Sequence, residues 1–493
     1  MNRNQDHYLD QRALEFFEAW VAQKNSNGQW TEKTLGVGGF FRDQQLGRDP
    51  YDLDLVVEAP GGAEKFAHLV AADFPDSISK PHQLGKSYPI WELSFKAPLK
   101  FNQQTFDLSG VSVQIADTQK ESFMNPQSRQ RVTTYGTLEE DCRRRDFTVN
   151  MIYWDLRRRE LIDPSGHALI DLQRKVLQTH PKVDAHKIFS DDPLRILRLF
   201  RFQAQLGFQV LPDTLAAAQA CCDRLSILSG ERMRDEMNKA ALTCGLAPMI
   251  RAMDQSEVLE KIFPEFLPMK NCAQDPLYHS EGDVFVHTLM VMDRAPRTVV
   301  LQWAALLHDV GKPNTQTFEG TRIKFIGHEV HSEAIGRRIL ERLVFSKEQA
   351  ERIALLVRLH LRGGDATQWK SAKPARRLLR ELGEAESDWW ELVQADSQSS
   401  IAQDGKPRLA HLEILKTFMT EASRVPISKK PILSGQRIMT EFQILPGPLV
   451  GELMLMAQEI EDDLLLSKGT ATAEEVLGEL RVRRLAIEAA SSE

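Results

Sequence analysis

The sequence predicts an α+β protein, with a mixed β-sheet in its N-terminal third followed by all-helical blocks. Three observations carry this reading. Strand-like runs occur only between about residues 34 and 171, separated by Gly, Pro and Asp turns. From about Pro181 those runs almost vanish, and apolar residues recur at helical spacing instead. Two breaks, one Pro-rich near residue 270 and one polar near residue 400, divide the helical part.

A chain of 493 residues exceeds what one core serves, so several domains are expected. Residues 1–33 read as a helical extension: "DQRALEFFEAWVAQK" has apolar periodicity and stops at "NSNGQ". Residues 34–180 hold the sheet, with strands expected in "LDLVVE", "SYPIWELSF" and "QTFDLSGVSVQIA". Residues 181–270 form a helical neck and body, in which "DPLRILRLFRFQAQLGF" and "GERMRDEMNKAAL" are helices stopped by Gly207 and Gly245. Residues 271–402 are a second helical block ending in the linker-like "DSQSSIAQDGKPR", and residues 403–493 are a helical tail.

Hydrophobic residues make up 42% and charged residues 27%, with a net charge of −7. That net charge argues against a protein that coats nucleic acid over its whole surface, but it allows local basic patches. No apolar run reaches the length of a membrane span, and the polar start lacks a leader pattern. The five cysteines match neither a zinc site nor a disulfide framework, so a reducing cytoplasm is expected.

The stretch "VGGFFRDQQLGRDPYDLDLVV" sets two acids, Asp52 and Asp54, into an apolar strand. Residues i and i+2 of a strand share a face, so the two carboxylates are expected side by side. Each then raises the other's pKa unless a divalent cation neutralises both, and hard oxygen ligands suit Mg2+. Gly38 and Gly39 lack a Cβ, which lets backbone N–H groups approach a triphosphate, and Arg42 adds a charge-assisted contact. An edge strand with alternating charges explains an isolated Asp-x-Asp. It does not explain this order of glycines, Arg-Asp and paired acids.

This stretch resembles the signature of the class II nucleotidyltransferases, the group of bacterial CCA-adding tRNA nucleotidyltransferases and poly(A) polymerases. The resemblance implies a nucleotidyltransferase head in which Asp52 and Asp54 hold Mg2+ and Gly38, Gly39 and Arg42 line the triphosphate. It also implies a third acid on a later strand, for which Asp107 in "TFDLSGV" is the candidate, although "SGVSVQ" departs from the family's tail there. "EEDCRRRDFTVNMIYWD" resembles the family's Arg-Arg-Asp-x-Thr-x-Asn segment at Arg144, Arg145, Asp146, Thr148 and Asn150, with Met151 replacing a usual small residue. Arg145, Asp146 and Asn150 inherit nucleotide binding and ribose discrimination from it.

In "SDDPLRILRLFRF", Asp192 and Arg195 are three residues apart and are expected to share one helix face. An Asp accepts hydrogen bonds and an Arg donates them, so the pair matches the donor–acceptor edge of cytosine or adenine and mismatches uracil or guanine. The resemblance assigns that role to this pair; a surface ion pair is the plainer alternative. Arg198 and Arg201 continue the row toward triphosphate or substrate phosphates, with a solvated helix face as the competing explanation. Further on, Arg376, Arg377 and Arg380 form a local basic face that either meets tRNA phosphates or is simply solvated.

A second constellation lies between residues 275 and 400. "FVHTLMVMD" and "ALLHDVGK" resemble the HD phosphohydrolase superfamily, which implies His287, His308, Asp309 and Asp396 as ligands of a divalent metal of unassigned identity. His328 and His360 are then available for a second metal or for phosphate, and Lys312 for a phosphate contact. The whole resemblance implies addition of C and A to the 3′ end of tRNA from CTP and ATP, with an HD-domain phosphohydrolase activity beside it. A poly(A) polymerase or partial CC- or A-adding enzyme is the nearest alternative. An HD hydrolase with an inactive, RNA-binding head is the more distant one. No membrane partner is expected.

Overall fold

The apolar periodicity of the first segment builds α1 (Arg3–Ser26), whose Phe16, Phe17 and Trp20 are fully buried. The computed structural model describes residues 3–50, 52–84, 89–123, 131–427 and 431–490. Gly28, at φ 73°, turns the chain inside "NSNGQ". β1 (Thr34–Val37) then leads through α2 (Gly39–Gln45) to β2 (Asp54–Val57). α3 (Gly62–Asp73) is followed by β3 (His82–Leu84), β4 (Ile90–Ser94), the hairpin β5 (Leu99–Phe101) and β6 (Gln104–Phe106), and β7 (Ser112–Asp117). A second hairpin, β8 (Gln119–Phe123) and β9 (Arg131–Tyr135), precedes α4 (Leu138–Arg143), β10 (Tyr153–Asp155), β11 (Glu160–Ile162) and α5 (Ala168–Arg174).

Seven of these strands form one mixed sheet in the order β11-β10-β1-β2-β7-β4-β3, where only the β2–β7 pair is parallel. The expected strand "QTFDLSGVSVQIA" is two strands in two sheets. The Asp107 carboxylate accepts from the Ser109 N–H and hydroxyl, and Gly110 takes φ 90°, so the chain turns between β6 and β7. "SYPIWELSF" contributes β4, with Ser87 and Tyr88 lying outside the described residues.

β12 (Val176–Leu177) pairs with β13 (Gln209–Val210) around α6 (Ala185–Asp191) and α7 (Leu194–Leu206), and α8 (Pro212–Ala220) follows. Gly207 stops α7 at φ 71°, as its position predicts. Asp192 and Arg195 do not share a helix. Pro193 disfavours helical backbone in the residue before it, so Asp192 is extended between α6 and α7 while Arg195 lies inside α7. Residues 1–228 and 256–261 make up this first unit.

The second unit, residues 229–255 and 262–493, is helical. It holds α9 (Gly230–Thr243) and α10 (Ala247–Gln255), with α11 (Leu259–Ile262) straddling the boundary. Then come α12 (Val284–Arg294), α13 (Val299–Leu307), the small hairpin β14 (Thr317–Glu319) and β15 (Arg322–Lys324), α14 (His328–Arg342) and α15 (Lys347–Leu359). α16 (Lys373–Leu382), α17 (Glu386–Ser399) and α18 (Ala410–Ala422) precede the tail helices α19 (Gly435–Phe442), α20 (Pro448–Lys468) and α21 (Ala473–Ala490). The tail has its own core around Leu433, Ile438, Leu453 and Leu480. The basic row of α16 is paired internally. Arg376 is buried and bonds Asp462 at 2.8 Å, Arg380 reaches the same carboxylate at 2.5 Å, and Arg377 reaches Glu459 at 2.5 Å. Among the described residues no helix is long and apolar enough to cross a membrane.

Candidate functional site

In the first unit, Val37 is the register partner of Asp54, so the Gly38–Gly39 turn lies at the same end of the sheet as the acids. Gly38 turns at φ 86°, a conformation that costs a residue with a Cβ, and caps α2. Asp52 and Asp54 are both exposed while Leu53 between them is buried. Their proximity is not the plain strand alternation expected. β2 begins only at Asp54, and Asp52 precedes it in the left-handed region at φ 60°. Surrounding protein atoms and the charge of Asp52 push the Asp54 carboxyl up to about 6, with Asp10 of α1 adding to the rise and Arg145 opposing it. Among the described residues neither acid is held in an ion pair by Lys or Arg. Two adjoining, charge-frustrated oxygen donors open to solvent fit a hard divalent cation.

Asp107 does not join them: it stands exposed in the turn before β7. The residue beside Asp54 on β7 is Gln114. The third carboxylate near the pair is instead Asp10, which accepts the Asp52 backbone N–H at 3.1 Å.

Behind the pair runs a buried polar chain. Arg42 donates to both Asp43 oxygens at 2.8 Å and to Asn150 Oδ1 at 2.6 Å. Asn150 donates to Asp146 at 3.0 Å, and Asp146 accepts from Arg198 at 2.7 Å. Burial would raise the Asp146 carboxyl, but Arg198 and Asn150 outweigh it and hold it well below the usual range. Arg42 was expected along the triphosphate; it is buried, and its guanidinium braces α2 against the Arg-Arg-Asp segment. Arg145 likewise faces inward, to Asp141 and the Tyr153 hydroxyl. Arg195 donates to the carbonyls of Ile188 and Arg144 at 3.0 and 2.7 Å. Arg201 bonds Gln205 and covers the Phe202 ring at 4.1 Å.

In the second unit, the ends of α12, α13, α14, α15 and α17 bring His287, His308, His328, His360 and Asp396 around Asp309. Asp309 Oδ2 lies 3.2 Å from His308 Nε2 and 3.6 Å from His287 Nε2; Oδ1 lies 3.1 Å from His328 Nε2 and 3.6 Å from His360 Nε2. His308, His328 and His360 each place Nδ1 2.7–2.8 Å from the carbonyl three residues back. That bond puts the ring proton on Nδ1 and leaves Nε2 a lone pair aimed inward. His287 differs. Burial lowers its pKa, but Asp396 at 3.0 Å and Glu281 at 2.8 Å raise it to about 9. His308 Nε2 and Asp309 Oδ1 are buried without a hydrogen-bond partner, Asp309 Oδ2 has the Lys312 ammonium at 2.7 Å, and His328 and His360 turn Nε2 atoms toward each other at 3.3 Å. Such orphaned, facing donors fit metal ions. Two adjoining sets with no residue in common, His287–His308–Asp396 and Asp309–His328–His360, are each compact enough for one ion.

Three family models cover most of this chain: a Poly A polymerase head domain at residues 35–178, a probable RNA and SrmB- binding site of polymerase A at residues 207–270, and an HD domain at residues 278–395. An A-adding tRNA nucleotidyltransferase of Deinococcus radiodurans is 31% identical over 331 residues, 64% of this chain and 74% of the relative. A multifunctional CCA protein of Nitrosospira multiformis is 31% identical over 349 residues, 69% and 76% of the two chains. The chain belongs to the tRNA nucleotidyltransferase/poly(A) polymerase family. Its fold is shared by the CCA-adding enzyme of Bacillus stearothermophilus solved with CTP, at TM-score 0.62, 20% identity and coverage of 97% and 98%.

Within this nucleotidyltransferase the sequence motifs account for the acid pair and for all six metal-ligand candidates of the HD domain. Sequence reasoning missed Asp10, Glu281 and His279. Glu281 bonds Nδ1 of both His279 and His287 at 2.8 Å and accepts the Ile401 N–H at 2.9 Å. The only local signal was "HSEGDVFVH", which places an acid and a second histidine shortly before His287.

Proposed function

We propose that this enzyme adds C and A nucleotides to the 3′ end of tRNA from CTP and ATP, with Asp52 and Asp54 as the residues that hold Mg2+. The observation that carries the reading is the exposed, unpaired acid couple beside the Gly38 turn. Bound there, Mg2+ would supply charge neutralisation for the triphosphate and activation of the terminal 3′-hydroxyl. The chain's own part is positioning. Gly38 and Gly39 present backbone beside the acids, and the Arg42–Asn150–Asp146–Arg198 chain ties α2 to α7 so that base-reading residues and metal ligands keep one geometry. Asp192 is the acceptor at the base edge; Arg195, committed to carbonyls, acts with it through the backbone it clamps.

The experiment is incorporation of single labelled nucleotides into tRNAs truncated at successive positions of the 3′ end. Addition of C, C and then A supports the reading. Addition of A alone makes it an A-adding enzyme, a second reading favoured by the Deinococcus radiodurans relative's name. Repeated A addition makes it a poly(A) polymerase.

We further propose that the HD domain hydrolyses phosphoesters with two metal ions, His287, His308 and Asp396 holding one, His328 and His360 the other, and Asp309 lying between. The orphaned Nε2 and carboxylate atoms carry this reading. Hydrolysis of a chromogenic phosphoester that stops on chelation and returns with a divalent metal tests it.

A further inference from the structure

Beyond the metal ligands, the His–Asp cluster opens into a small cavity whose outer wall is built by the segment after α17. That segment was expected to be a loose linker. Instead Ile401 N–H bonds Glu281, Ser280 N–H bonds Ile401 O at 2.7 Å, Ala402 N–H bonds Lys406 O at 2.9 Å, and Arg408 N–H bonds Ser400 O at 3.1 Å. These bonds fold residues 400–408 back onto the loop before α12. They also set the Arg408 guanidinium over the Tyr278 ring at 4.4 Å.

Arg322 covers the same ring at 5.0 Å, but it is paired with Asp275. Among the described residues no carboxylate pairs with Arg408. His411, at the start of α18, lines the cavity beside it, with Nε2 3.3 Å from the Ser397 hydroxyl. The floor carries Lys312, whose ammonium lies 2.7 Å from Asp309.

Among the described residues the acids lining this cavity are Asp309 and Asp396, both metal-ligand candidates. Once metal neutralises them, Lys312 and Arg408 are the charged side chains left in the lining, beside the imidazoles of His279, His360 and His411. The cavity encloses about 130 Å³. Pockets that take whole drug-sized ligands run to roughly 300–1,000 Å³, so this one has room for a single tetrahedral anion and not for a base or sugar.

We propose that Arg408 and His411, from the tail segment, form the phosphate-binding subsite of the HD centre, admitting the terminal phosphoryl group of a phosphomonoester whose remainder stays outside. The proposal rests on the HD reading above. An Arg held on an aromatic ring keeps its fork pre-organised for charge-assisted bonds to phosphate oxygens. Free small phosphomonoesters and phosphorylated RNA ends share this chemistry.

The test uses the full chain carrying Asp52→Ala and Asp54→Ala, so that metal in the head does not contribute. Mn2+ binding and then inorganic phosphate binding to the Mn2+-loaded protein are measured by calorimetry. Arg408→Ala is expected to leave Mn2+ affinity unchanged and weaken phosphate about tenfold, Arg408→Lys to recover part of the loss, and His411→Ala to lose about threefold. Displacement of phosphate by a nucleoside monophosphate, by a phosphorylated oligoribonucleotide, or by both supports the subsite and names its source; displacement by neither overturns it. Equal phosphate affinity in the parent and Arg408→Ala, with Mn2+ still bound, overturns the subsite and leaves the HD reading standing. Failure of the parent to bind Mn2+ through Asp309 overturns both.

Discussion

The Asp52 backbone N–H donates to the Asp10 carboxylate across 3.1 Å, joining the N-terminal helix to the acid pair of the head. Asp52 sits at φ 60°, which costs a non-glycine residue on the order of 1–2 kcal/mol and persists only where neighbours hold it. Asp10→Ala is expected to raise the Mg2+ concentration for half-maximal nucleotide incorporation by about three- to tenfold. Asp10→Asn, whose amide oxygen still accepts the bond, should stay near the parent. An unchanged Mg2+ requirement in Asp10→Ala would mean that the turn holds itself.

The two centres use separate residues in separate units, so their activities should separate. Asp54→Ala is expected to lower nucleotide incorporation by about a thousandfold, through loss of a metal ligand, and to leave phosphoester hydrolysis intact. His308→Ala should do the reverse. Loss of incorporation in His308→Ala would show that the centres depend on one another.

Asp141 is fully buried and accepts from Arg144, Arg145 and the Tyr153 hydroxyl. Burial raises its carboxyl, but Arg145 and Arg144 outweigh that and bring it from 3.8 down to about 2. A folded-state pKa below the unfolded value means that folding favours the ionised form. The group's stabilisation, about 2 kcal/mol, is therefore complete above pH ~4 and is lost as the pH falls toward 2. Asp141→Asn should unfold at lower temperature than the parent at pH 7, and the gap should narrow between about pH 4 and pH 2. A gap constant with pH would exclude ion pairing as its origin.

Gly311 follows the His308–Asp309 pair, and a Cβ on it would lie 2.4 Å from Ser332 N and 2.7 Å from His328 O. Both are backbone atoms of α14, so relief requires moving the helix that carries His328. Gly311→Ala is expected to destabilise this unit by about 1–3 kcal/mol and to weaken its metal binding, read by thermal unfolding with and without Mn2+. Unchanged unfolding would show that α14 yields without cost.

Much of the molecule was legible because its signals are local. Helical periodicity marked α1 and α7, Gly207 marked a helix end, and paired acids or an adjacent His-Asp marked each centre. Other expectations failed where a single residue overrode the local pattern. Pro193 moved Asp192 out of the helix, and Gly110 with the Asp107 turn split one expected strand into two.

Residue types and spacing alone determine which chemistry this chain carries: oxygen donors for a hard cation at one end, imidazoles and carboxylates for metals further on. They do not determine what each charged side chain does, because that depends on partners far away in sequence. Arg42 meets Asn150, Asp10 meets Asp52, and Arg376 meets Asp462 only after the elements pack. An arginine read as a phosphate contact thus becomes a buried brace, and a stretch read as a linker becomes the wall of a cavity. Burial makes the difference: a charge removed from water must find its counterpart inside, and the tertiary fold chooses which one.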